Sequence, residues 1–243
     1  MSDLIDSASV LIIRDNVRTG KMEVLLVRRH DDIDFAGGAY VFPGGKRDTD
    51  DQMLKDYGVL FSSDYGEVMS TAIREVYEES GMVIGKIDAI PHEFKKLKNK
   101  EITITEFINS AGAKIFRDHI IPFARWVTPN IYSKRFDTRF FLAKAPINQI
   151  AVPDNNEIVE TVWAEPLGFI EKNHKKMIFP TIMNLNLLSQ ARSVEEAMEI
   201  TRARKIVTVE PEIVNGKRII DPNAGYGEID QTNIHPGVRA YKE

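Results

Sequence analysis

The segment 65–79 constrains the fold more than any other part of the chain, because its apolar residues recur at helical spacing. These residues are Val68, Ala72, Ile73 and Val76. Asp64 and Glu67 form a capping-box pattern at its start, and Gly81 follows it where a left-handed residue commonly ends a helix. The pattern therefore predicts an amphipathic helix over 65–79, which must bury its apolar face against other elements.

Runs of β-branched and leucine-rich residues before and after this segment predict strands. The runs are residues 8–13, 22–28, 82–94, 119–127, 136–143 and 157–164. Arg18–Lys21 separates the first two runs with a turn-like sequence, which predicts a hairpin at the start of the domain. Strands interspersed with helices predict one mixed α/β domain of the α+β kind, with helical decorations, rather than two domains.

Later parts of the chain predict helices and a second hairpin. Pro180 suits the first turn of a helix over about 181–191. Ser193–Glu196 is another capping box, which opens a helix to about residue 203. Asn215–Gly216 is the strongest short hairpin signal in the chain. The last twenty residues are polar and glycine-rich, which predicts a loosely held tail.

Composition and charge exclude several classes of protein. Apolar residues make up 43% and charged residues 28% of the 243 residues, as in ordinary globular proteins. A formal net charge of −4 argues against a general nucleic-acid-binding protein. The absence of cysteine excludes disulfides, thiolate nucleophiles and cysteine-ligated zinc. The N-terminal sequence lacks the basic region of a signal peptide. No apolar run approaches the ~20 residues of a membrane span. We therefore expect a cytoplasmic protein.

Three acidic side chains share one face of the predicted helix. Glu75, Glu78 and Glu79 stand at positions i, i+3 and i+4, where side chains are neighbours one turn apart. Like charges at about 4 Å repel by about 1 kcal/mol in water and about 4 kcal/mol at a partly buried site. Carboxylates without nearby His or Cys suit a hard cation, so the pattern favours Mg²⁺ or Mn²⁺. From these residues alone, a solvated helix face with Arg74 paired to Glu78 is the commoner alternative.

Two stretches around these acids carry a family resemblance. Gly38-Ala-Tyr-Val-Phe42-Pro43-Gly44-Gly45 precedes the helix, and Arg74-Glu75-Val76-Tyr77-Glu78-Glu79-Ser80-Gly81-Met82 covers its end. Together they resemble the signature of the Nudix hydrolase family, in which a Gly-Gly loop is followed by a helix with this acidic pattern. The resemblance implies a Nudix-type α/β/α sandwich with a mixed sheet.

The resemblance also implies a single Nudix hydrolase domain over residues 1–243, with additions to a core of about 8–175. The additions are an insertion at 46–63, a helical insertion at about 93–118, and C-terminal helices with a hairpin at 180–220. Within the second insertion, Thr103 or Thr105 is expected to cap a short helix over 103–111.

The spacing within the signature differs from the usual one. The signature has five residues between its second Gly and a Glu, and seven between that Glu and the Arg. Arg74 stands 29 residues after Gly45, so about fifteen residues are inserted between them. Glu67 is the best candidate for the signature's first Glu, with six residues between it and Arg74. Asp48 resembles an acid that many members carry three residues after the second Gly.

The family's functional roles carry over to the matching positions. Glu78 and Glu79 would bind the divalent cation, Mg²⁺ or Mn²⁺, and the Gly45 carbonyl would complete its coordination. Glu75 would be a further metal ligand or the base that activates water. Arg74 would hold the carboxylates in place by ion pairing. The resemblance therefore implies a catalytic group made of Arg74, Glu75 and Glu78.

Other residues are candidates for binding the metal or the substrate. A fourth acid often comes from the loop before the last core strand, and Glu157 is the nearest match, with a surface-loop acid as the alternative. Arg29, Lys46 and Arg139 are expected to bind substrate phosphates. For Arg139 a structural ion pair with Asp137 or another acid is equally compatible with the sequence. For Lys46 a solvated position is the alternative.

Further stretches resemble the peroxisomal-type coenzyme A diphosphatase branch of the family and its bacterial relatives. They are Ile121–Pro129, Arg135–Phe141 and Pro180-Thr181, together with the insertion inside the signature. The resemblance implies metal-dependent hydrolysis of coenzyme A or acyl-CoA to 3′,5′-ADP and (acyl-)4′-phosphopantetheine. ADP-ribose or another nucleotide, and a catalytically silent ligand-sensing module, stay open as alternatives. The expected partner is a small nucleotide, with no nucleic acid and no membrane, and a homodimer is left open.

Overall fold

The computed structural model describes residues 4–49, 51, 63–85, 95–96, 99, 101–103, 106–107, 119–215 and 217–227. Most of the two insertions predicted at 46–63 and 93–118 therefore lies outside the described residues. Within the second, Thr103 Oγ1 accepts a hydrogen bond from the Glu106 main-chain N–H at 3.1 Å. Glu106 Oε2 in turn accepts from the Thr103 N–H at 2.8 Å, which confirms the cap predicted at Thr103.

Eight strands of the described chain form one mixed sheet. They are β1 (Leu4–Asp15), β2 (Met22–Arg29), β3 (Tyr40–Val41), β4 (Gly44–Lys46), β5 (Ile120–Val127), β6 (Arg135–Lys144), β7 (Ile158–Ala164) and β8 (Thr208–Val209). Their order is β3-β2-β1-β6-β5-β8, with β4 paired to β1 and β7 paired to β2. The β1–β6 and β5–β8 pairs are parallel and the other pairs are antiparallel.

The predicted strands of the sheet are confirmed with one exception. β1 and β2 form the expected antiparallel hairpin, and β5, β6 and β7 begin and end within one residue of the predicted limits. The strand predicted over 82–94 is wrong where the structure describes it, because residues 82–85 form no strand. Met82, Val83 and Ile84 are nonetheless buried, so burial rather than strand pairing explains their apolar character.

Helices cover both faces of the sheet. They are α1 (Ser63–Ser80), α2 (Pro166–Asn173), α3 (Phe179–Leu188) and α4 (Val194–Ala203). α1 packs on one face, and α3 and α4 pack on the other, which confirms the α/β/α sandwich with a mixed sheet. Within the described ranges, no helix combines the length and the apolar character that crossing a membrane requires.

The apolar face of α1 is buried as predicted. Its members are Val68, Ala72, Ile73 and Val76. They pack against Val10, Ile12 and Phe141 of the sheet. Burying a side chain of Val or Ile size contributes about 1.5–3 kcal/mol. This packing therefore fixes the rotation of α1 and, with it, the direction of the acidic face.

The two ends of α1 differ in how well the sequence predicts them. Gly81 has a φ of +67°, and its N–H donates to the Tyr77 carbonyl oxygen at 2.7 Å, so the predicted C-terminal end is confirmed. The helix begins at Ser63, earlier than the predicted 65. Asp64 therefore lies inside the first turn, and the prediction that it caps the helix is wrong.

The helices on the opposite face begin with the predicted signals. Pro180 occupies the first turn of α3, which ends at Leu188 instead of residue 191. Ser193 Oγ accepts a hydrogen bond from the Glu196 N–H at 3.2 Å, and α4 ends at Ala203 as predicted. Local capping chemistry therefore sets where these helices begin.

The C-terminal hairpin is confirmed, but the predicted tail is wrong at its start. Strands β9 (Glu212–Val214) and β10 (Lys217–Ile219), on either side of the predicted turn, pair antiparallel. Ala224 and Tyr226, expected in a loosely held tail, are buried in the main core. The chain therefore stays part of the folded core at least as far as these residues.

Candidate active site

The glycine loop meets the end of α1 through main-chain atoms. The Gly44 N–H donates to Oε2 of Glu79 at 2.8 Å. A Cβ at Gly44 would lie 2.3 Å from the Ala8 carbonyl oxygen, and one at Gly45 would lie 2.4 Å from Oε1 of Glu75. Gly44 therefore requires glycine, because a side chain there would meet main-chain atoms of β1, whereas a side chain at Gly45 would displace the Glu75 carboxylate.

The three carboxylates of the acidic face differ in burial. Glu79 is 4% exposed, and burial raises its pKa well above the usual value despite the opposing hydrogen bond from Gly44. Burial also raises the pKa of Glu75 to about 7, against the opposing charge of Arg74. The Glu78 side chain is 52% exposed. Glu79 is therefore the acid on this face whose ionised form most needs a cationic neighbour.

Arg74 holds two of these acids through its guanidinium group. Nη1 donates to Glu75 Oε1 at 2.9 Å and to Glu78 Oε2 at 2.7 Å. Nε donates to Asp51 Oδ1 at 2.8 Å, and Nη2 donates to the Lys46 carbonyl oxygen at 2.9 Å. The planar group therefore ties the acidic face to the chain that leaves the glycine loop.

Asp51 is a site residue that the sequence analysis missed. It is 2% exposed, and its Oδ2 accepts hydrogen bonds from Thr71 Oγ1 at 2.7 Å and from the Asp48 N–H at 2.8 Å. Together with its contacts to Arg74, these bonds fix the Asp51 carboxylate against α1. Asp51 is the sixth residue after Gly45, which is the position of the first Glu in the family signature.

The position of Asp51 makes it an alternative to Glu67 for that role. Counting back from Arg74 leads to Glu67, whose side chain lies outside the described residues, whereas counting forward from Gly45 leads to Asp51. With Asp51 in that role, the insertion within the signature follows this acid and lies between it and α1. In the sequence, Asp51 is identified by counting forward from Gly45, because five residues separate the two, as in the family signature.

Two further predicted residues lie beside the buried carboxylate. Arg29 Nη1 is 3.9 Å from Oε1 of Glu79, and Arg29 Nε donates to the Phe35 carbonyl oxygen at 3.1 Å. In addition to burial, the charge of Glu157 raises the pKa of both Glu75 and Glu79. The loop before β7 therefore carries a fourth acidic side chain whose charge acts on Glu75 and Glu79.

The other two predicted substrate residues have different surroundings. Arg139 is buried, and its Nη1 donates to Asp6 and lies 3.4 Å from Oδ2 of Asp137, as the structural alternative describes. The Lys46 side chain is exposed, and its contact with Arg74 is made by the main-chain carbonyl. Phosphate binding by either side chain stays a prediction.

The chemistry of the donors decides whether the site suits a cation. Among the described residues, no group of three or more acidic or histidine side chains is preassembled around a metal position, and Arg74 lies between Glu75 and Glu78. All the available donors are oxygen atoms, which Mg²⁺ and Mn²⁺ prefer. The buried Glu79 carboxylate also requires positive charge nearby. The residues therefore fit such a cation, which would share Glu75 and Glu78 with Arg74.

Comparison with known proteins identifies the family. Residues 4–178 match the family model of the NUDIX domain, and this range contains the glycine loop, the acidic helix and the loop before β7. The chain therefore belongs to the Nudix family and is a Nudix pyrophosphohydrolase. Nudix hydrolases generally use divalent metal ions and bind nucleoside-diphosphate substrates.

Individual relatives agree with this assignment. A NUDIX hydrolase from Alicyclobacillus acidocaldarius superposes with a TM-score of 0.70 at 27% identity, over 82% of this chain and 97% of that chain. The putative nudix hydrolase 7 of Caenorhabditis elegans is 24% identical over 97% of this chain and 74% of its own length. The acyl-coenzyme A diphosphatase NUDT19 of Xenopus laevis is 24% identical over 67% of this chain and 58% of its own length. The Nudix resemblance and the fold class are thereby confirmed.

Proposed function

We propose that this protein hydrolyses the diphosphate of coenzyme A or an acyl-CoA in a reaction that depends on Mg²⁺ or Mn²⁺. The observation that carries the proposal is the hydrogen bond from Gly44 to Glu79. It holds a buried carboxylate of α1 against the glycine loop, next to Glu75 and Glu78. One helix face can thus supply several oxygen ligands to a cation, as diphosphate hydrolysis requires.

Two observations favour coenzyme A over other diphosphates. The stretches around Ile121–Pro129 and Arg135–Phe141 resemble the coenzyme A diphosphatase branch. The Xenopus relative named as an acyl-coenzyme A diphosphatase is 24% identical over 67% of this chain. ADP-ribose or another nucleotide with the same linkage is the alternative substrate for the same site.

The residues of the acidic face have different roles in the proposed reaction. The proposed cation ligands are Glu78, Glu79, the Gly45 carbonyl oxygen and Glu157. When bound, the cation neutralises the diphosphate and lowers the pKa of the attacking water. Glu75 either joins the ligands or accepts the proton of that water. Arg74 keeps Glu75 and Glu78 in one orientation, so that they do not have to be ordered during the reaction.

The proposed reaction is a single displacement at phosphorus. The oxygen of water bonds to one phosphorus while the bond from that phosphorus to the bridging oxygen breaks, and the water proton passes to the base. Coenzyme A then gives 3′,5′-ADP and 4′-phosphopantetheine, which keeps its acyl group when the substrate carries one. Arg29 is the first candidate to bind a phosphate, because its guanidinium lies beside Glu79, and Lys46 is the second.

Product analysis tests this proposal. Coenzyme A, ADP-ribose and 8-oxo-dGTP are incubated in parallel with the protein and Mg²⁺ or Mn²⁺, and the products are separated by chromatography. We expect 3′,5′-ADP from coenzyme A, no reaction after chelation of the metal, and no reaction in the Glu78→Gln variant. Turnover of ADP-ribose alone would reject the coenzyme A assignment, and no turnover of any diphosphate would reject an enzymatic role.

A further inference from the structure

The loop between β6 and β7, residues 145–157, runs past the end of α1. The Val152 N–H donates to the Ser80 carbonyl oxygen at 2.8 Å, which joins the loop to the last residue of the helix. Ile147 and Ile150 are 87% and 82% exposed, so apolar burial contributes little to holding this part of the loop. Ala145 and Ala151 pack against the core, and hydrogen bonds hold the exposed stretch between them.

Gln149 makes two of these hydrogen bonds with one side chain. Its Oε1 accepts from the Val83 N–H at 2.8 Å, and its Nε2 donates to the Val83 carbonyl oxygen at 3.1 Å. The side-chain amide thus pairs with both main-chain groups of a single residue, as a neighbouring strand would. Val83 is buried and follows α1 directly, so Gln149 ties the loop to the chain that leaves the acidic helix.

The far end of the loop fixes the main chain of Glu157. The Asp154 carboxylate accepts from the N–H groups of Glu157 at 3.2 Å and Ile158 at 2.8 Å. The Glu157 carbonyl oxygen accepts from the His30 N–H at 2.7 Å. The Glu157 side chain is exposed, and the same loop is bonded through Val152 to Ser80, the residue that follows Glu79. The loop therefore links Gln149 at one end to Glu157 at the other.

We propose that Gln149 is a positioning residue that holds Glu157 at its working distance from the acidic face of α1. The side chain does this by fixing the β6–β7 loop to Val83. The inference deepens the proposed function and rests on it, because Glu157 acts there as the fourth acid of the cation site. Glutamine suits the role because one amide group supplies both the donor and the acceptor that Val83 needs.

A double-mutant cycle separates positioning from a general structural role. Gln149→Leu removes both hydrogen bonds at similar volume, and Glu157→Gln removes the charge that the loop delivers. We expect Gln149→Leu to lower kcat about tenfold and to raise the Mn²⁺ dissociation constant, measured by electron paramagnetic resonance. In the Glu157→Gln background, the same change should alter both quantities less than about twofold, because the group that Gln149 positions is already gone.

A matched control uses another glutamine that binds a main-chain carbonyl. Gln190 Nε2 donates to the Gly225 carbonyl oxygen at 3.1 Å in an exposed position on the opposite face, so Gln190→Leu should leave kcat and Mn²⁺ affinity unchanged. Should Gln149→Leu fail to fold by circular dichroism, Gln149→Glu replaces it. That variant keeps an acceptor for the Val83 N–H but sets a carboxylate oxygen against the Val83 carbonyl oxygen, so we expect losses of kcat and Mn²⁺ affinity at least as large as for Gln149→Leu.

The outcomes distinguish this inference from the proposed function. If Gln149→Leu lowers kcat and Mn²⁺ affinity by the same factor with and without Glu157, the residue is merely structural and the inference is overturned. If the protein hydrolyses no diphosphate but binds Mn²⁺, the proposed function fails and the binding cycle alone decides the inference. If the protein neither hydrolyses a diphosphate nor binds Mn²⁺, both the proposed function and this inference are rejected.

Discussion

The carboxylate of Asp51 accepts two hydrogen bonds from the guanidinium group of Arg74, at 2.8 and 3.1 Å. Nη1 of the same guanidinium group donates to Glu75 and Glu78, so the position of Arg74 also fixes these two side chains. The orientation of the acidic face therefore depends on a residue outside the helix, at the end of the glycine loop. Asp51 is not among the proposed cation ligands, and its contact with the acidic face is made through Arg74.

Asp51→Asn tests this dependence. The asparagine amide places a donor against the Arg74 guanidinium and leaves its charge without the buried partner. Breaking a buried pair in this way costs about 3–5 kcal/mol, and we expect the lower value because the Arg74 side chain is 15% exposed. Urea unfolding measures the stability, and kcat should fall about 10- to 100-fold as Glu75 and Glu78 lose their common orientation.

Glu67→Gln is the control for this prediction, because counting back from Arg74 assigns Glu67 the same role. With Asp51 in that role, Glu67→Gln should change the free energy of unfolding by less than about 0.5 kcal/mol and leave kcat unchanged. A loss of activity in Glu67→Gln together with normal activity in Asp51→Asn would restore the earlier assignment.

Glu79→Gln and Glu78→Gln should lower activity alike but affect stability differently. Both remove a proposed cation ligand, and we expect kcat to fall at least about 100-fold in each. Glu79→Gln also removes a carboxylate whose ionised form is disfavoured by burial, with the Arg29 guanidinium 3.9 Å away, while keeping an oxygen that accepts from Gly44. Without added metal, its melting temperature should rise by about 2–4 °C, which corresponds to about 1 kcal/mol for a chain of this size.

Glu78 provides the comparison, because its side chain is half exposed. Glu78→Gln should therefore leave the melting temperature of the metal-free protein unchanged. Differential scanning calorimetry after chelation compares the two variants with the unmodified protein. A lower melting temperature for Glu79→Gln would show that its negative charge stabilises the metal-free fold.

Gly45→Ala tests the closeness of the glycine loop to the acidic face. The added Cβ would lie 2.4–2.7 Å from the carboxylate atoms of Glu75, so this side chain must move. Because the displaced atoms are the end of a flexible side chain, the loss of stability should stay near about 1 kcal/mol. The displaced Glu75 should lower kcat about tenfold.

Gly66→Ala is the matched control within α1. A Cβ at Gly66 would meet no atom within 4 Å, and alanine is favoured over glycine in a helix by about 1 kcal/mol. This variant should therefore be more stable and fully active. Equal losses of activity in the two alanine variants would contradict the close contact at Gly45.

The sequence predicts those parts of the fold whose signals are local. The helical spacing of Val68, Ala72 and Val76 predicts α1, and Gly81 marks its end. The apolar run at 82–94 predicts a strand, which residues 82–85 do not form, because buried loops and buried strands have the same apolar composition. Pairing with a neighbour distinguishes them, and one sequence does not specify which segments become neighbours.

The same limit applies to the candidate site. Glu75, Glu78 and Glu79 lie on one helix turn, so their proximity follows from helix geometry. The ion pair between Arg139 and Asp6 depends on the parallel pairing of β1 with β6, which joins distant parts of the chain. Such contacts become visible only once the strand order is known.

Tyr226→Phe tests whether the chain beyond the hairpin belongs to the core. The Tyr226 hydroxyl accepts a hydrogen bond from Trp126 Nε1 at 2.7 Å and donates to Asn184 Oδ1 at 2.8 Å, both in buried surroundings. Phenylalanine leaves those two groups without this partner. We expect a loss of about 2–4 kcal/mol in the free energy of unfolding near pH 8, with kcat unchanged.

The pH dependence of this loss follows from the buried hydroxyl. Burial raises the pKa of Tyr226 above its usual value, so the folded protein disfavours the phenolate. This contribution is fully present below about pH 10, where tyrosine in the unfolded chain is protonated. It declines as the pH rises further, because the unfolded chain then releases the proton more readily than the folded one.

The difference in stability between the unmodified protein and Tyr226→Phe should therefore be constant from pH 7 to 9 and shrink between about pH 10 and 11.5. Urea unfolding at pH 8 and pH 11 measures it. A difference that grows above pH 10 would mean that the folded state stabilises the phenolate. A negligible difference at pH 8 would mean that Tyr226 does not join Trp126 and Asn184 in solution.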